Sequence, residues 1–72
     1  MAEIVASMSG NVWKIEVKEG DQIQNGDVVV ILESMKMEIP IEAEEGGTVK
    51  EIKTAEGEFV QEGDVLISLA ND

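Results

Sequence analysis

The sequence predicts an all-β fold, a sandwich of two four-stranded antiparallel sheets built from two copies of one half-motif. Three observations lead there. A gapless internal repeat spans almost the whole chain, apolar residues shared by both copies recur with period two, and paired glycine-acid turns punctuate each copy. Shifting the chain by 37 residues lays "IVASMSGNVWKIEVKEGDQIQNGDVVVIL" (4 to 32) on "IEAEEGGTVKEIKTAEGEFVQEGDVLISL" (41 to 69), with twelve identities in 29 pairs. Unrelated sequences of ordinary composition would match at roughly one position in fifteen, so the repeat is genuine.

Each element follows from comparing the copies, because a buried face stays apolar in both while an exposed face drifts. Ile4 and Ala6, matched by Ile41 and Ala43, give the alternation of a first strand. From Val12 to Ile15, matched by Val49 and Ile52, the apolar step is three, which predicts a bulge or bend in the second strand. The segments "KEGDQIQNGD" and "AEGEFVQEGD" each place two glycines six apart around one apolar residue, Ile23 or Val60, and so predict tight turns flanking a short strand. In the last strand, Val28, Val30 and Leu32 match Val65, Ile67 and Leu69, whereas Ile31 is matched by Ser68; this again is period two. Neither half can cover its own apolar face, so the two must pack on each other.

Seventy-two residues make one domain, 1 to 72, close to the size below which an apolar core alone no longer holds a fold. With no cysteine and no histidine, disulfides, thiolate metal sites and the commonest proton shuttle are excluded. Without tyrosine as well, no acid, base and nucleophile set is recognisable, which argues against an enzyme. Asp21, Asn25, Gly26 and Asp27 faintly resemble a calcium loop, but Ile23 stands where an oxygen ligand is needed. A net charge of −11 disfavours nucleic acid and anionic membrane surfaces, and points to partners with a basic face. The amino end lacks the basic and apolar regions of a secretory signal, and the longest apolar run, residues 28 to 32, is too short to cross a bilayer; the expected location is the cytoplasm. Of the two aromatics, Trp13 and Phe59, the tryptophan reads as a partly buried surface residue serving packing.

Only "ESMKMEIP" (33 to 40) falls between the halves. A tight hairpin there calls for glycine, asparagine or aspartate, and Ser34, Met35, Lys36 and Met37 supply none of them. The residues leave two readings open. One is a continuous strand with methionines inward, lysine outward and Pro40 interrupting the ladder. The other is an exposed hairpin tip at Lys36, with Glu33 and Glu38 as solvated flanks and the methionines as a pliable apolar contact surface. A lysine amine in water, with a pKa of about 10.4, is neutral roughly one time in a thousand at pH 7.4. It becomes useful at a tip when another protein must grasp and modify it.

The run Glu33-Ser34-Met35-Lys36-Met37-Glu38 resembles the attachment motif of the biotinyl/lipoyl domain family, and the likeness extends from Ile4 to Leu69. The length fits stand-alone biotin/lipoyl attachment proteins, with neither the insertion nor the proline- and alanine-rich leader of the bacterial acetyl-CoA carboxylase carrier. "ASMSG" departs from relatives that often place a proline there. The resemblance implies a flattened barrel of two four-stranded sheets, a barrel-sandwich hybrid, with one sheet mostly from each half and the modified lysine on a hairpin. It further implies biotin joined by an amide to Lys36 through a biotin protein ligase using biotinyl-adenylate. Met35 and Met37 would contact the ligase, and Glu33 and Glu38 would orient the hairpin. The loaded carrier would move a carboxyl group between biotin carboxylase and carboxyltransferase components, and would be a monomer when free. A lipoyl carrier for acyl or aminomethyl transfer, or an acceptor of both groups, is the nearest alternative, but lipoyl domains usually have aspartate where Met35 stands. An unmodified interaction module using the Met-rich tip as a docking knob is the other.

Overall fold

The computed structural model describes residues 2 to 70, so Met1, Asn71 and Asp72 of the expected single domain lie outside the described residues. Eight strands follow in order: β1 (Ala2–Val5), β2 (Gly10–Ile15), β3 (Gln22–Ile23), β4 (Val28–Ser34), β5 (Met37–Glu42), β6 (Gly47–Ile52), β7 (Phe59–Val60) and β8 (Val65–Ala70). Among the described residues there is no helix, and therefore none long and apolar enough to cross a membrane.

The strands form two four-stranded antiparallel sheets, ordered β1-β8-β6-β3 and β5-β4-β2-β7. The sequence repeat reappears in the ladders. Val12↔Leu32 and Ile15↔Val30 recur 37 residues on as Val49↔Leu69 and Ile52↔Ile67. Ile4↔Ile67 recurs as the pair of Ile41 and Val30, and Asn11↔Phe59 as the pair of Thr48 and Gln22. The shift carries each sheet's order onto the other, so the operation relating the halves exchanges the sheets, as an approximate twofold axis does.

The expectation of one sheet mostly from each half is corrected: each sheet takes two strands from each half. The chain crosses to the opposite sheet at every connection except the central hairpin between β4 and β5. The reason lies in strand length. β3 and β7 hold only two residues each, too few to complete a sheet with their own half, and crossing sets them against the six-residue β6 and β2 of the other copy.

The expected break in β2 is a bulge. Val12 pairs with Leu32 and Lys14 with Ile31, leaving Trp13 as the extra residue, and Lys50 occupies the same place in β6. A second bulge corrects the inward face of β4. Val28, expected inside, is 36% exposed, while Val29 and Val30 are both fully buried. Val28 pairs with Glu42 and Val30 with Ile41, so two consecutive residues answer one and the alternation slips by a position.

Four carboxylates close the turns. Asp21 and Asp27 accept the backbone N–H of Lys18 and Gln24 at 2.9 and 2.8 Å, and Glu58 and Asp64 do the same for Ala55 and Gln61 at 3.1 and 2.8 Å. Gly20, Gly26, Gly57 and Gly63 within these turns all have φ between 91° and 94°, the region closed to most side chains. The core is equally symmetric. Ile4, Ala6, Val12, Ile23, Val29, Val30 and Leu32 are buried with their counterparts Ile41, Ala43, Val49, Val60, Leu66, Ile67 and Leu69.

Candidate functional site

β4 and β5 pair as far as Ser34↔Met37, which leaves Met35 and Lys36 as a two-residue turn. Both have positive φ, 52° and 65°, the conformation that a type I′ hairpin turn requires at its two central positions. Of the two sequence readings of residues 33 to 40, the structure takes the hairpin and excludes the continuous strand. The first residue of β2, Gly10, lies beside Ser34. Past that point neither hairpin strand has a third neighbour, and the turn stands clear of the sheet.

Every residue singled out in the motif is brought to this tip. Lys36 is exposed, and among the described residues no ion pair engages it. Met35 is 91% exposed and Met37 63%, an uncommon display for side chains whose ordinary place is a core. Glu33 and Glu38, both exposed, are directly opposite each other across the two strands. Like charges in facing cross-strand positions weaken the pair, so the hairpin carries a repulsion below its turn as well as strain within it. Its anchor is Leu32↔Ile39, with Leu32 fully buried in the core. Pro40 lies on β5, an edge strand, where its missing donor is best tolerated.

Gly10 is a positioning residue that the motif did not reveal. A Cβ there would lie 3.0 Å from the Glu33 carbonyl oxygen and 3.5 Å from the Ser34 Cβ, so any larger residue would push β2 a few tenths of an ångström away from the base of the hairpin. The signal was present in the repeat: Gly10 and Gly47 are an identical pair, and a Cβ on Gly47 would lie 3.2 Å from the Ala70 carbonyl oxygen. Trp13, 42% exposed, projects from the β2 bulge onto the outer face with Lys14 Nζ 5.3 Å from its ring centroid.

What this arrangement offers is presentation. One primary amine is held on a short, clear-standing turn between two exposed thioethers, with no neighbouring acid-base set to act on it. An acyl group on this amine would meet no steric barrier from the domain, so the site fits a group attached from outside.

Comparison with known proteins agrees. A family model described as "Biotin-requiring enzyme", that of the biotin/lipoyl domains, matches residues 1–69. The biotin/lipoyl attachment protein of Bacillus subtilis is 68% identical over 37 residues, 51% of each chain. The biotinylated protein TB7.3 of Mycobacterium tuberculosis is 67% identical over 42 residues, 58% of this chain and 54% of that protein. These matches span about half the length of the curated relatives. Among solved structures, the Kluyveromyces lactis urea carboxylase superposes with a TM-score of 0.89 at 30% identity, covering 96% of this chain and 6% of the enzyme. The lipoyl domain of the 2-oxoglutarate dehydrogenase complex from Azotobacter vinelandii superposes at 0.74 with 25% identity, covering 94% and 96%.

Proposed function

The chain belongs to the biotin/lipoyl attachment family, whose members are carrier domains rather than catalysts, and from that premise we propose that Lys36 is the residue that carries a covalent biotin. The single observation behind the assignment is the turn at Met35 and Lys36, which holds one amine clear of the sheet. In the attachment step Lys36 Nζ, deprotonated by the ligase, attacks the acyl carbon of biotinyl-adenylate. An amide bond forms, AMP departs with the electrons of the broken acyl-phosphate bond, and the displaced amine proton passes to the ligase or solvent. The adenylate compensates for a weak nucleophile, and the carrier contributes only position.

Met35 and Met37 offer the ligase a deformable apolar grip on either side of the amine. Glu33 and Glu38, whose mutual repulsion costs the free domain stability, are relieved by a partner bringing lysine or arginine to that face. When bound, biotin supplies a ureido nitrogen that accepts and gives up a carboxyl group. The chain's part is to raise the effective concentration of that group at each active site it visits. Biotin carboxylase and carboxyltransferase components are the partners this reading names, with the free domain a cytoplasmic monomer. Support comes from the biotinylated relatives and the carboxylase neighbours. Lipoate remains the second reading because the B. subtilis relative is named for both groups and the lipoyl domain shares the fold.

The test is the intact mass of protein made in a biotin-replete cell, beside Lys36→Arg. One biotin adduct is expected on the unaltered chain and none on the variant, with the two circular dichroism spectra alike. Biotin found on Lys14, Lys18, Lys50 or Lys53 would overturn the site, and a lipoyl adduct in its place would select the second reading.

A further inference from the structure

The pseudo-twofold repeat supplies a comparison within the molecule, since the two sheets have the same backbone plan and each outer position on one has a counterpart on the other. On the sheet β5-β4-β2-β7, two adjacent rows face outward. Pro40, Ile31 and Lys14, with the bulged Trp13, form one, and Glu38, Glu33, Asn11 and Phe59 form the next, nearer the tip. The counterparts on β1-β8-β6-β3, 37 residues away, are Glu3 for Pro40, Ser68 for Ile31, Lys50 for Trp13 and Gln22 for Phe59. Four apolar or aromatic positions on one face are thus polar at every equivalent place on the other. Folding does not account for this, because the same backbone tolerates the polar set. Phe59 is 62% exposed and Trp13 42%.

This apolar face belongs to the sheet that ends in the Lys36 hairpin. Pro40 stands four residues from Lys36, roughly 10 to 14 Å along the strand. Its surroundings are acidic. Glu33 and Glu38 lie on its tip side, Glu42 follows Pro40 on β5, Glu58 precedes Phe59, and Glu56 reaches the same strand edge by accepting the Ile15 N–H at 3.0 Å. A second copy of this chain would bring the same acidic rim and a net charge of −11 against it.

We propose that the outer face of β5-β4-β2-β7 is the docking surface for the enzyme that modifies Lys36, which presents an apolar centre ringed by lysine and arginine. The inference rests on the carrier reading above. That enzyme must distinguish Lys36 from Lys14, Lys18, Lys50 and Lys53, and a two-residue tip is too small to do so alone. A rigid face on the same two strands fixes where the amine stands. An aromatic patch of this size suits an encounter that must also dissociate.

The test uses the full chain and a purified bacterial biotin protein ligase, with initial rates measured against carrier concentration. The double variant Trp13→Gln, Phe59→Gln keeps net charge, and glutamine already stands at the counterpart of Phe59. Gln22→Ala on the opposite face is the control, and thermal melts establish that all three proteins are folded. The expected result is a KM for the double variant raised roughly tenfold or more, with kcat within a factor of two and the control unchanged. The KM of the unaltered chain should also rise with salt. An unchanged KM in the double variant, or a rise shared by the control, overturns the proposal while leaving Lys36 as the attachment residue. A dimer of the unaltered chain that the two substitutions dissolve would assign the face to a second copy and overturn it likewise. Absence of biotin from the unaltered chain is a different failure, that of the carrier reading, and the intact mass separates the two.

Discussion

Met35 and Lys36 hold a left-handed backbone that side chains bearing a Cβ resist, at a cost on the order of 1 kcal/mol or more for each residue. Asparagine tolerates this region far better, and asparagine at the first central position is among the commonest choices for a two-residue hairpin. Met35→Asn should therefore stabilise the domain by about 1 kcal/mol, raising Tm by roughly 4 to 8 °C for a chain of this size. The same substitution removes a 91% exposed thioether from beside the amine, so biotinylation by purified ligase should slow. A melt that falls would count against strain in the turn, and modification at the original rate would show that the methionine does not matter to the ligase. The strain also explains why the turn was only half legible in the sequence. The lysine between methionines was plain, but nothing in "SMKM" carries turn chemistry, and the residues alone left a continuous strand open.

At the scale of the hairpin the question is whether the ligase reads a shape or a peptide. Met35 and Lys36 occupy the two successive central positions of the turn, and those positions project their side chains differently from a fixed base. Exchanging them to give "ESKMMEIP" keeps composition, charge and every contact of β4 and β5 below Ser34. The amine and the Met35 thioether trade places at the tip, and nothing below it moves. If the enzyme aligns a rigid hairpin, the exchanged protein should retain its circular dichroism yet take up biotin on the order of 100-fold more slowly, because small misplacements of a reacting atom cost that much. Equal rates would mean that any accessible lysine in this local sequence suffices. The strands themselves were legible because the two copies filter each other. Ile4, Ala6, Ile23 and Leu32 with their counterparts are buried as the shared pattern required, and the step of three in β2 became the bulge at Trp13. Val28 misled for a local reason, the bulge at Val29 in β4, which lets two neighbouring valines both turn inward.

For the whole molecule, the repeat established that the halves are equivalent but not how they interlock, since a shift of 37 residues would look the same whether each half formed its own sheet or shared both. The ladders decide it. Only β2 with β4 and β6 with β8 pair within a half; β1 with β8, β2 with β7, β3 with β6 and β4 with β5 all pair between halves. A half in isolation keeps one two-stranded ladder and exposes its seven core residues, and an isolated pair of strands is at best marginal in water. Fragments 1 to 36 and 37 to 72, divided at the exposed tip, should each lack a folded β spectrum alone. Mixed in equal amounts they should recover it, because the cut falls in the turn and removes no ladder bond or core contact. Both fragments are net acidic, so recovery should improve as salt rises from about 10 mM toward 0.5 M and shortens the screening length. Circular dichroism of the separate and mixed fragments is the measurement. A first fragment that folds by itself would mean that the ladders between halves contribute far less than their number implies.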